Sequence, residues 1–229
     1  MDIQSFALSR VEFILGFYEK ALSPFVETKY LIEQQKQPFQ AEYEESDEPP
    51  FLSEWLNADQ AIDVLGMQCA SLLCSTLKLF LEESLKNVFR RNARKITKTI
   101  KTEQAYSACF KNGWLNGYKD LFEKEFNLNW QTSGVNLTIL EELVLIRNRG
   151  QHPEHISMMS NNFSKNDLKK ISSPFFIDEI HGNNDMYDFL SPKIKPKPEK
   201  MKTAFEESIK LINWLEFSLE KWGMSQLNK

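Results

Sequence analysis

Between Leu65 and Phe89 the apolar residues Leu65, Leu72, Leu73, Leu77, Phe80, Leu81, Leu85 and Phe89 return at steps that suit one face of an α-helix. A β-strand would scatter the same residues over both of its faces. The period governs most of the chain. Residues 3 to 36 carry Phe6, Val11, Phe13, Ile14, Phe17 and Leu22, which predict a long first helix with a wide inward face, kinked at Pro24. Ser53 opens the second helix. The third is expected from Glu103 to Phe126, with Thr102 as its N-cap and Gly113 and Gly117 as weak points. A fourth begins near Asn136 or Thr138, where Thr138 and Glu141 have capping-box spacing, and Leu137, Leu140 and Val144 start its inward stripe. The amphipathic run "EKMKTAFEESIKLINWLEFSLEKW" predicts the last helix.

Two stretches break the period. The acidic run from Glu42 to Glu48, closed by Pro49 and Pro50, reads as a solvated loop. Residues 152–198 mix turn formers with "PFFIDEI" and end in the proline-rich "SPKIKPKPEK", so an irregular insertion with a short β-hairpin around 174 to 190 is expected. The expected fold class is therefore all-α: a bundle of four to five helices in one domain over residues 1–229, with the insertion before the last helix.

The charge balance, 28 basic against 32 acidic residues for a net −4, gives no overall attraction to nucleic acid or to an anionic membrane. An anionic partner must meet a local patch. From Lys86 to Lys101 lie Lys86, Arg90, Arg91, Arg94, Lys95, Lys98 and Lys101 without one acid. Lys86, Arg90, Arg94 and Lys98 recur every four residues, a stripe that could track RNA phosphates and that a solvated helix face would also produce. Lys193, Lys195, Lys197, Lys200 and Lys202 form a second, weaker cluster. The tryptophans Trp55, Trp114, Trp130, Trp214 and Trp222 fall mostly at core spacing, which argues against a base-stacking platform.

Cys69, Cys74 and Cys109 lack zinc spacing and read as core residues of a protein in a reducing compartment. The first residues include Asp2 and Glu12 and show no basic leader, and the longest uncharged run, Val64 to Leu77, is too short to span a bilayer. No membrane association is expected, and the default location is the cytoplasm. A metal site from His152, His155 and His181 is not expected, because no Cys or acidic cluster completes it.

The fourth helix runs into "RNRGQHPEH". Steps of three and four from Leu140 through Val144 reach Arg147, an inward address that asks for a partner interface or a polar cleft. Gly150 is expected to close the helix in the left-handed conformation, and Pro153 disfavours helical geometry at His152. Such a break could turn the imidazole back towards Arg147.

"RNRGQH" resembles the Arg-x4–6-His motif, often with Asn after the Arg, of the HEPN superfamily of all-helical domains. The resemblance covers residues 147 to 152 as a motif and most of the chain as a helix pattern. It implies a metal-independent, cofactor-free endoribonuclease whose active site lies at a homodimer interface. His152 would accept the proton of a ribose 2′-hydroxyl, Arg147 would bind the phosphoryl oxygens, and Asn148 would orient one or the other. Arg149 could add a phosphate contact or be structural, and Arg149 with His155 makes a second match that lacks the Asn. The resemblance also implies a toxin or antiviral-defence setting, with an antitoxin or activating protein as a further partner. The alternative is a non-catalytic helical module that binds a nucleotide or a protein.

Overall fold

The computed structural model describes residues 2–40, 48–92, 109–151, 162–171, 173–177 and 193–227. These residues form α1 (Ile3–Glu33), α2 (Leu52–Asn92), α3 (Trp114–Phe126), α4 (Leu137–Gln151), the single turn α5 (Lys165–Leu168) and α6 (Pro198–Leu227). The all-α class expected from the period holds. Strands are absent among the described residues, where only the isolated antiparallel bridges Asn162↔Lys193 and Ile177↔Ile194 occur. The hairpin expected around 174 to 190 falls mostly outside the described residues.

The chain packs as two units: Met1–Glu12, Leu73–Glu141 and Ala204–Lys229 in the first, Phe13–Leu72 and Glu142–Thr203 in the second. Each of α1, α2, α4 and α6 contributes a stretch to both units.

In the first unit Leu73, Leu77, Phe80 and Leu81 of α2 are buried with Leu121 and Phe122 of α3 and with Phe205, Leu211 and Leu215 of α6. Aromatic edges knit this core: Phe126 meets Trp222 at 4.9 Å between centroids, and Trp130 meets Trp214 at 4.7 Å. The expected third helix is not continuous. Phe110–Asn112 is a 3-10 turn, Gly113 takes φ 96°, and α3 starts only at Trp114. A positive φ is cheap for glycine, so this residue ends one helical segment and admits the next. Gly117 is needed for another reason: a Cβ there would lie 2.5 Å from the Phe110 ring. The expected cap at Thr102 lies outside the described residues.

In the second unit Ile14, Tyr18 and Leu22 of α1, Ile62, Met67 and Cys69 of α2, and Leu143 and Ile146 of α4 are buried with Phe163, Phe176 and Ile194. Cys69 and Cys74 are core residues as expected, whereas Cys109 is only half-buried. Along α1 the expected inward face is narrower than the apolar pattern. Val11, Ile14 and Leu22 are buried, but Phe6, Phe13 and Phe17 are 65%, 74% and 48% exposed. The helix carries two apolar faces, and periodicity alone does not say which one turns inward. By length and apolar content the stretch Leu52–Phe89 of α2 could cross a membrane, and 56% of its most apolar window is buried in the protein.

Candidate functional site

α4 starts at Leu137, which leaves Thr138 inside the first turn and removes the expected capping box. Its entry is held from α6 instead: the Asn136 backbone N–H donates to the Glu207 carboxylate at 2.6 Å. That carboxylate sits where the helix dipole favours negative charge. The buried residues of α4 are Ile139, Leu140, Glu142, Leu143 and Ile146, so Leu140 of the expected stripe is buried as expected. Val144 of that stripe is only half-buried. With about 100° per residue, Arg147 falls between the directions of the buried Leu140 and Leu143, and the residue is half-buried.

The helix runs unbroken through Gly150 to Gln151. Gly150 is not in the left-handed conformation expected of it. Its place in the fold is a close approach to α2, since a Cβ there would sit 3.6 Å from the Cβ of Met67. One residue later, the Gln151 side-chain amide donates to the Ser71 hydroxyl at 3.0 Å, so the end of α4 is secured along α2.

The two arginines differ in their surroundings. Arg149 donates to the Asp167 Oδ2 from Nε at 2.8 Å and from Nη2 at 2.6 Å, with its side chain 23% exposed. Burial alone would raise the Asp167 carboxyl, but the Ser164 hydroxyl and backbone N–H together with Arg149 outweigh it and hold the group below the usual aspartate range. Ser164 and Asp167 form a reciprocal capping box at α5. Of the two uses open to Arg149, the structural one is therefore occupied. Among the described residues Arg147 has no such carboxylate. Its Nη1 donates to the Asn148 side-chain oxygen at 3.3 Å, and its Nε is buried without a hydrogen-bond partner among the described residues. A buried donor left unpaired costs about 1–3 kcal/mol.

A residue missed by the sequence reading stands one turn earlier. Glu142 is fully buried, and its two carboxylate oxygens accept the backbone N–H groups of Phe175 at 2.8 Å and Phe176 at 2.7 Å. Burial raises this carboxyl above the ordinary glutamate value, opposed by those two N–H groups and by Lys200. Glu142 and Asp167 thus fasten the insertion to α4 at two points. An acid set between Leu140 and Leu143 in an apolar helix was the available signal.

The expected basic surface is only partly described. Lys86 is engaged by Glu82 at 2.6 Å and Glu83 at 3.0 Å, acids just upstream of the acid-free run. Arg90 falls in the last turn of α2, while Arg94 and Lys98 lie outside the described residues. In the second cluster Lys195 is held by Asp59 at 2.8 Å and Asp63 at 2.7 Å, and Lys200 donates to the Ile177 carbonyl at 2.6 Å. These two lysines anchor the return of the insertion. His152, His155 and His181 lie outside the described residues. Among the described residues no group of three His, Cys, Asp or Glu side chains could hold a metal ion.

Comparison of this chain with protein-family models, with curated proteins and with solved structures found no match.

Proposed function

We propose that this chain is a HEPN-type endoribonuclease that cuts single-stranded RNA or exposed loops by 2′-hydroxyl attack and works as a homodimer. The observation that carries the proposal is the state of Arg147. It stands one turn before the end of a well-packed helix, its Nε buried without a hydrogen-bond partner among the described residues, while Arg149, two residues on, is engaged by Asp167. A cation tied up in a structural ion pair is poorly placed to bind a phosphate, whereas a guanidinium held only by a 3.3 Å contact to Asn148 among the described residues can turn its donors to two phosphoryl oxygens.

In the proposed reaction His152 takes the proton of the ribose 2′-hydroxyl as that oxygen attacks the adjacent phosphorus. The bond to the 5′-oxygen of the next nucleotide breaks, that oxygen takes a proton from solvent water and leaves as a 5′-hydroxyl, and a 2′,3′-cyclic phosphate remains. Arg147 neutralises charge developing on the non-bridging oxygens. The Asn148 side-chain oxygen, which accepts from Arg147, orients the guanidinium. A toxin or antiviral-defence role, with an antitoxin or activator as partner, belongs to the same proposal.

The test is incubation of the purified protein with total cellular RNA in EDTA, with mapping of the cut ends. Cuts bearing 2′,3′-cyclic phosphate or 3′-phosphate ends are expected. Salt-sensitive RNA binding without any cut would leave the non-catalytic module. The basic stripe carries a separate expectation. Replacing Arg90, Arg94 and Lys98 by Gln should weaken RNA association and flatten its log-affinity against log-salt slope by about 0.7 per lost phosphate contact. Lys86→Gln alone should move that slope less, because Glu82 and Glu83 already engage the ammonium group. Filter binding at several salt concentrations reads both.

A further inference from the structure

We infer that the groove between the end of α2 and the last turns of α6, within the first packing unit, binds a small organic ammonium ion: an amine carried on a short apolar arm. This inference does not rest on the ribonuclease proposal.

The groove is a cavity of about 400 Å³, inside the size range of small-molecule sites. Ser84, Asn87 and Val88 of α2 line one wall, at the spacing of three and four residues that shares a helix face. Glu216, Glu220 and Gly223 of α6 line the other, also on one face.

Ser84 is the first sign that the space is meant to be occupied. The residue is 2% exposed, and its Oγ has no hydrogen-bond partner among the described residues. A buried helical serine can return its hydroxyl to the carbonyl four residues back, as Ser208 does to Ala204 at 2.7 Å. Ser84 does not. A buried hydroxyl left unpaired destabilises the fold, and a ligand atom that bonds to it removes that penalty.

Gly223 is the second sign, and it is independent of the first. It stands inside α6, one turn before the end, where glycine destabilises a helix relative to alanine. No described atom lies within 4 Å of the place its Cβ would take, so crowding within this chain does not call for the small residue. What the missing side chain leaves is open cavity between Trp222 and Met224.

The chemistry of the walls identifies the occupant. Two carboxylates line the cavity, those of Glu216 and Glu220, and among the described residues no Lys, Arg or His does. Phosphates and carboxylates are therefore repelled, and a cation is favoured. Trp222 adds an indole, held by Phe126 with ring centroids 4.9 Å apart and planes at 82°. An ammonium group is attracted both by an indole face and by carboxylate acceptors. Its remaining N–H donors suit the Ser84 Oγ and the Asn87 side-chain oxygen. A bare divalent ion fits less well, because it asks for about six or more oxygen ligands and has no use for walls such as Val88, Leu219 and Met224.

The test is isothermal titration of the full chain at neutral pH with three compounds of one shape: 2-phenylethylamine, 2-phenylethanol and phenylacetate. The amine should bind about tenfold or more tightly than the alcohol, and phenylacetate more weakly than either. Glu216→Gln with Glu220→Gln should bring the amine down to the affinity of the alcohol. Ser84→Ala should weaken the amine several-fold while the thermal midpoint holds or rises, a combination that a merely structural hydroxyl does not give. Gly223→Leu fills the cavity and should abolish binding, again with the midpoint held or raised. Absence of amine binding at millimolar concentration, equal affinity for the three compounds, or a Gly223→Leu protein that binds like the wild type would overturn the inference. So would loss of binding only in variants whose midpoint falls. Magnesium or calcium ions that bind more tightly than the amine and displace it would make this a metal site, and the inference fails.

Discussion

Arg147→Ala and His152→Ala should each lower cleavage of single-stranded RNA by about a hundredfold or more, with thermal midpoints close to that of the wild type. For Arg147 the unchanged stability follows from the geometry. Among the described residues its Nε has no partner and its side chain makes one bond, a 3.3 Å contact to the neighbouring Asn148, so truncation removes little that holds the fold. Arg149→Ala should behave in the opposite way. It leaves Asp167 without its guanidinium, so it should lower the melting temperature whether or not it touches the chemistry. The double variant Arg147→Ala/His152→Ala should be little worse than either single one, because both groups act on one transition state. A deoxyribose at the cut site should block the reaction. Persistent cutting by His152→Ala, free of contaminating nuclease, would shift the assignment to His155 with Arg149. Parallel loss of stability and cleavage in Arg147→Ala would make the motif a helix end rather than a site.

Glu142→Ala should destabilise the protein by about 2–5 kcal/mol, since it leaves the Phe175 and Phe176 N–H groups without their acceptor. In a chain of 229 residues that corresponds to a fall in melting temperature of roughly 5–15 °C. Glu142→Gln should recover at most half of the loss. One amide oxygen can replace one carboxylate oxygen, but the amide NH2 then confronts the second backbone N–H. The pH dependence has a definite sign. The folded-state value of Glu142 is raised, so its contribution is fully present below the ordinary value of 4.5 and is lost as pH rises through the higher folded value. Urea unfolding of the wild type should show stability declining with pH in that window, and Glu142→Ala should lack that component. An equal slope in both proteins would show that the carboxyl is not the titrating group.

Long helices were legible because their period is local: α2 and α6 begin within a residue or two of where their apolar residues first repeat. The two faces of α1 were not. Phe13 and Ile14 are adjacent in sequence and equally apolar, yet one is 74% exposed and the other buried, a choice made by what the rest of the chain presents. Glycine misled in both directions for a related reason. Gly113 does break a helix, and Gly150, which looked like a stop, instead makes room beside Met67. At the candidate site, the pairing of Arg149 with Asp167 spans 18 residues, and the contact of Glu142 with Phe176 spans 34. No short-range pattern carries such partners. What the motif did contain was the contrast between neighbours: an arginine next to an asparagine, followed by a second arginine that the fold engages elsewhere.

Neither packing unit is written as one continuous passage of the gene. The first is assembled from three separate runs of chain and the second from two, and four helices change membership partway along their length. Any end-point chosen for a truncated version therefore severs a helix or orphans a strip of core. Recombination has the same difficulty, since no single crossover can transplant one unit intact into another protein.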